Sequence, residues 1–153
     1  MTQYTLAVIG NPNAGKTTLF NDLTGSRQHT GNWPGVTVEK KEGHFKLGDD
    51  NCLLVDLPGT YSLDSESPSL DEKVARDYIE SGEADLLVNI VDASNLERSL
   101  YLTAQLLEMG IPMVVVLNMI DVAENLGFRV DIQRLAERLE LPVVPIVATK
   151  KTG

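Results

Sequence analysis

Short β-rich apolar runs alternate with segments whose apolar residues recur at helical spacing, from one end of the chain to the other. Residues 5–9 are β-rich and stop at Gly10, which predicts a first strand, and residues 16–23 carry helix formers up to a Thr24-Gly25 stop. Residues 36–47 alternate and stay polar, as a half-exposed edge strand does, and Gly48-Asp49-Asp50-Asn51 predicts a turn. Residues 52–57 form a continuous apolar run, the pattern of a buried strand. Ser69 with Glu72, and Ser94 with Glu97, carry capping-box spacing. The first opens a helix with Leu70, Val74 and Tyr78 on one face; the second opens one with Leu96, Leu100, Thr103 and Leu107 in a stripe ending at Gly110. Residues 86–91, 113–117 and 143–147 predict three more strands, and Ile132, Leu135, Ala136 and Leu139 mark a last helix. Two stretches break the pattern, residues 26–35 and 60–68, both rich in Gly, Pro, Ser or Asn. Irregular loops at such places in an α/β sheet are where ligands bind.

Strand–helix alternation predicts an α/β fold: a doubly wound, mainly parallel sheet with helices on both faces. The hairpin at residues 48–51 makes one edge strand antiparallel. The chain has 153 residues, the size of one domain. Its 42% hydrophobic content suffices for a core. Thirteen Lys and Arg against 22 Asp and Glu give a net charge of -9, which argues against a nucleic-acid face or docking on anionic lipid. The single cysteine, Cys52, excludes an internal disulfide and a cysteine-based zinc cluster. No basic signal region opens the chain, and no apolar run approaches the roughly 20 residues of a membrane helix.

Three motifs carry chemistry. Gly10-Asn11-Pro12-Asn13-Ala14-Gly15-Lys16-Thr17 fits G-x-x-x-x-G-K-[ST] between a predicted strand and a predicted helix. Glycines let backbone N–H groups turn onto phosphates, and the helix start adds its positive dipole end. Lys16 reaches the β and γ phosphates, and the Thr17 hydroxyl can ligate Mg²⁺. Asp56-Leu57-Pro58-Gly59 ends a strand, so that Asp56 is placed for Mg²⁺ and the Gly59 N–H for a γ phosphate. Asn118-Met119-Ile120-Asp121 ends another, where a carboxylate and an amide can discriminate guanine from adenine. Taken alone, that tetrapeptide also reads as a helix N-cap pair, the lesser of the two readings.

These motifs, with Thr37 and Ala148-Thr149-Lys150, stand in the order found in guanine-nucleotide-binding P-loop proteins. The strings GNPNAGKTTLFN from Gly10, GNWPGVTVE from Gly31, DLPGTYSL from Asp56 and VDASNLER from Val91 resemble the G domain of the ferrous iron transport protein B family. The resemblance implies a Ras-like P-loop GTPase fold over residues 1–153, binding GTP or GDP with Mg²⁺ and K⁺. It implies phosphate and base contacts from residues 10–18, Gly35, Val36, Thr37, Asp56, Pro58, Gly59, Asn118, Met119, Asp121, Ala148, Thr149 and Lys150, Thr18 among them. Thr17, Thr37 and Asp56 serve Mg²⁺ on this pattern, and Asn13 serves K⁺. Asn13, Lys16, Thr37 and Gly59 are the expected catalytic set, and two switch loops cover about residues 26–38 and 56–70. The resemblance also places the domain on the cytoplasmic side of a bacterial inner membrane, joined to helical regulatory and transmembrane domains that lie beyond residue 153. The domain is then expected to lack its closing helix, and a homo-oligomer stays open.

Besides Asn13 at the K⁺ position, two departures from the Ras-like pattern bear on rate and affinity, one at Thr60 and one in the base-contact motifs. Thr60 stands where a water-orienting Gln is usual, which implies slow intrinsic hydrolysis. Met119 replaces a common Lys, and Ala148 a Ser that supports the base-reading acid. Weak base affinity and fast exchange follow. His29, His44 and Cys52 lack ligand spacing, so no iron site is expected here. Trp33 reads either as a partner contact or as a staple on its own domain. The function expected is a GTP-hydrolysing switch governing Fe(II) uptake. The alternatives are a soluble GTPase of RNA modification or ribosome assembly, and a nucleotide-binding regulatory module with negligible turnover.

Overall fold

A computed structural model describes residues 3–147. Its elements in chain order are β1 (Gln3–Gly10), α1 (Lys16–Thr24), β2 (Gln28–Asn32), β3 (Glu39–Leu47), β4 (Asp50–Asp56) and α2 (Leu70–Glu80). Then come β5 (Leu86–Asp92), a 3-10 turn (Ala93–Asn95), α3 (Leu96–Glu108), β6 (Met113–Asn118), α4 (Ile120–Asn125), α5 (Ile132–Leu139) and β7 (Val143–Pro145). The strands form one sheet ordered β2-β3-β4-β1-β5-β6-β7. Pairing is parallel from β4 to β7 and antiparallel at β2–β3 and β3–β4.

Alternation along β1 divides the core between two layers, because successive side chains point to opposite faces. Ala7 and Ile9 pack with Val55, Leu57 and Leu87 under Tyr78 and Ile79 of α2 and Leu102 and Leu106 of α3. Val8 turns the other way, with Leu54, Val88 and Ile90, onto Phe20 of α1. Helices therefore cover both faces, the doubly wound arrangement that the alternation predicts. The central strands are apolar on both sides because both sides are buried. Gly10, Asp56 and Asn118 end β1, β4 and β6 at the same edge of the sheet, where an open α/β fold binds its ligand.

Several expectations shift on inspection. The stretch at residues 26–35 is not all irregular: it contains β2, so the sheet has a further antiparallel strand outside β3. The polar residues of β2, all exposed except the half-buried Gln28, hid it. The strand expected from residue 36 begins at Glu39, because Trp33 N donates to Val38 O (2.9 Å) and closes a turn there. The turn after it is shorter, since Leu47 pairs with Asp50 around Gly48 and Asp49. Ser69 caps α2 as expected, accepting from the Glu72 N–H at 3.1 Å. The second box fails. Asp92 accepts from Ser94 N and leads into the 3-10 turn, and α3 starts only at Leu96 with no side-chain cap. The buried residues of α3 are Ser99, Leu102, Thr103 and Leu106; of the expected stripe Thr103 is buried, Leu96 and Leu100 are half-buried against the core, and Leu107 is exposed. α4, too short to show a period, was not anticipated.

Candidate functional site

The loop from Gly10 to Gly15 is shaped by close approach. A Cβ at Gly10 would lie 2.7 Å from the Ile90 carbonyl oxygen. At Gly15, whose φ is +100°, it would lie 2.1 Å from Asn118 Nδ2. That amide donates to the Ala14 carbonyl at 3.0 Å and is buried, so Asn118 at the end of β6 braces the loop that follows β1. Two motifs separated by about a hundred residues thus meet in one structure. Among the described residues three non-glycines have positive φ, and two of them, Asn13 and Met119, belong to these motifs. Strained backbone of this kind concentrates at functional sites.

Pro12, Asn13, Gly15, Lys16, Thr17, Thr18, Gly59 and Met119 line a cavity of about 520 Å³. A neighbouring one of about 300 Å³ takes Lys16, Asp56 and Pro58. Between them Lys16 Nζ donates to Asp56 Oδ1 at 2.5 Å, with the two side chains only 12% and 9% exposed. Gly59 presses on Pro12, where an added Cβ would meet Cα at 3.2 Å, and the Thr60 N–H donates to the Gly10 carbonyl at 3.1 Å. The donor set fits a polyphosphate with a divalent cation: a lysine, two hydroxyls and a carboxylate surround a glycine-lined loop at a helix start. Asn11 also has a buried side-chain oxygen with no partner among the described residues.

Other expected members stand apart. Thr37 is exposed, and neither it nor Gly35, Val36 or Asp121 lines those two cavities. Val36 instead lines a pocket beside Trp33 and α2. Asp121 lies in the first turn of α4, whose N-cap is Met119 with no side-chain bond, so the N-cap reading of the tetrapeptide is not realised by a side chain. Ala148, Thr149 and Lys150 lie outside the described residues. Thr60 is buried, and its hydroxyl donates to the Ser62 carbonyl at 2.7 Å. Asp71 lines both cavities, and sequence reading missed it because only the path of the loop before α2 brings it there.

Both irregular loops are tied down. Trp33 is buried edge-on to Tyr78, with ring centroids 5.4 Å apart, under the Lys40 ammonium at 4.7 Å. It is a staple on its own domain. Burial, with Glu83, Glu42 and Asp85 nearby, pushes the Tyr78 phenol up to about 12. In the second loop, Glu72 accepts from Ser65 N and Oγ, Gln105 accepts from Leu63 N, Arg76 donates to Leu63 O, and Arg98 covers the Tyr61 ring at 3.8 Å. His29 and His44 do meet, edge to face at 6.0 Å across β2 and β3, which no sequence spacing reveals. No group of three metal-binding side chains forms among the described residues. No helix there is long and apolar enough to cross a membrane.

Comparison with known proteins places the chain in a family. The family model of ferrous iron transport protein B matches residues 4–153. The Fe(2+) transporter FeoB of Escherichia coli K12 is 61% identical over 155 aligned positions, covering all of this chain and 20% of its own length. The chain thus spans about one fifth of the curated relatives it matches. The G domain of the T. maritima FeoB iron transporter superposes with a TM-score of 0.91 at 45% identity, over 99% of this chain and 91% of that one. A GDP-bound S. thermophilus NFeoB variant gives 0.89 at 52% identity, over 100% of this chain and 58% of that one.

Proposed function

The chain belongs to the ferrous iron transport protein B family, and from that premise we propose that it is a GTP-hydrolysing switch domain governing Fe(II) uptake by a longer membrane protein. The observation that carries the reading is the brace between Asn118 and Ala14, which joins a phosphate loop to a base-reading motif. Lys16 and the N–H groups of the phosphate loop, Pro12 having none, hold the phosphates, and Asp121 reads the guanine edge, with Met119, Ala148, Thr149 and Lys150 around the base. The GDP in the S. thermophilus relative supports guanine as the base. Nucleotide binding exchanges the Lys16–Asp56 pair for two ionic contacts, phosphate for Lys16 and cation for Asp56.

Mg²⁺ held by Thr17, Asp56 and Thr37 would neutralise charge between the β and γ phosphates. K⁺ beside Asn13 would supply the stabilisation that an arginine finger gives elsewhere. Gly59 offers its N–H to the γ phosphate, and Thr37 must travel from its exposed position to join it. Thr60 cannot orient water as a Gln does, since its hydroxyl is bound to Ser62, and this supports slow turnover. The fivefold greater length of the relatives supports further domains in the full-length protein, and the match to the cytosolic domain of L. pneumophila FeoB supports placing this domain on the cytosolic side. Single-turnover phosphate release tests the reading: GTP hydrolysis is expected faster in K⁺ than in Na⁺, with Asn13→Ala abolishing the difference. Equal rates in the two salts contradict the K⁺ role, and no release above background contradicts the enzyme.

A further inference from the structure

A groove of about 570 Å³ opens between the start of α3 and the segment leading into α5, and it shares no lining residue with the phosphate cavities. Its apolar floor includes Leu96, Val130 and Leu135, and it is only half covered, for α5 has no buried residue. Phe128 lines it while 57% exposed, and Leu126, two residues before, is 61% exposed. Isolated exposed apolar side chains are ordinary, but here they border a concave surface.

The charge of this groove runs against that of the molecule. Arg129, Arg134 and Arg138 line it in a chain of net charge -9. None of the three has a carboxylate within 4.0 Å among the described residues. Two acids face them, and one is committed: Asp131 Oδ1 accepts from Arg134 N at 3.1 Å to cap α5, leaving Glu97. Unpaired guanidinium groups beside an exposed aromatic ring make the composition of an interface centre. A guanidinium fork matches a carboxylate better than any neutral group.

We propose that this groove docks an acidic segment of a partner protein, which seats one bulky apolar side chain on Leu96, Val130 and Leu135 while Arg129, Arg134 and Arg138 take its carboxylates. The test is fluorescence anisotropy with a short fluorescein-labelled peptide in which Glu and Asp flank a Phe-Leu pair. Saturable binding is expected that weakens with added salt, and that Arg134→Glu with Arg138→Glu weakens about tenfold or more. The milder pair Arg134→Gln and Arg138→Gln is expected to weaken it in the same direction, with GDP affinity and melting temperature unchanged in that variant. Equal binding by parent and variants, equal binding of a peptide with Lys in place of its acids, or no binding at all overturns the proposal. So does reversible self-association in sedimentation that the arginine variants abolish, which would assign the face to a second copy.

Discussion

A methyl group at Gly15 would fall 2.1 Å from Asn118 Nδ2, at a φ of +100° that side chains rarely adopt. Gly15→Ala must therefore push Asn118 away from the Ala14 carbonyl or bend the loop, and each breaks the link between β1 and β6. The backbone strain alone costs about 1–3 kcal/mol. Expected are a lowered melting temperature and loss of GDP binding by isothermal titration; full affinity in Gly15→Ala would mean that the brace does not shape the site. The phosphate loop was legible in sequence because its chemistry is local: glycine, lysine and threonine act within one turn of each other. Asp71 was not, since its place depends on a loop held by Glu72, Gln105, Arg76 and Arg98. Ser69 and Ser94 carried the same signal, yet Asp92 captured Ser94 first.

At the scale of elements, the segment from Trp33 to Val38 is closed on itself, Trp33 N donating to Val38 O and Val36 N to Trp33 O, so any displacement is expected to carry it as one piece. Thr37 is exposed and lines neither phosphate cavity, so on the proposed function it joins the cation only if this piece is displaced, which is expected to draw the indole off Tyr78. The indole Nε1 is buried without an acceptor among the described residues, which lowers the cost of leaving. Trp33 is the chain's single tryptophan, so intrinsic emission reports the step directly. Binding of a non-hydrolysable GTP analogue with Mg²⁺ is expected to shift emission to the red and raise acrylamide quenching. Unchanged emission at saturating analogue would show that Thr37 stays out of the site. The elements with strong apolar periods, β1, β4, β5, β6 and α2, were legible to within a few residues. β2 was not, because a polar edge strand has no burial pattern of its own and is defined only by its partner. The meeting of His29 and His44 follows from that same pairing.

For the molecule as a whole, the strand–helix alternation made the α/β class legible, while the groove at α5 shows that net charge says little about one surface. Stability at alkaline pH depends on the layer around Tyr78. Its phenol titrates near 10 unfolded and about 12 folded, so the fold favours the neutral form. That contribution is complete below about pH 10 and is lost as pH rises through 12. Urea midpoints are expected to fall more between those values in the parent chain than in Tyr78→Phe; parallel losses would assign the alkaline limit elsewhere. On the proposed function this sheet edge reads a guanine nucleotide through motifs that follow β1 and β6 and meet at the Asn118–Ala14 bond. Equilibrium binding of GDP, ADP and XDP to the parent and to Asp121→Asn tests it most directly. GDP is expected to outbind ADP by roughly three orders of magnitude, and Asp121→Asn to move the preference to XDP. Equal affinity for GDP and ADP, or an unchanged preference in Asp121→Asn, would contradict it.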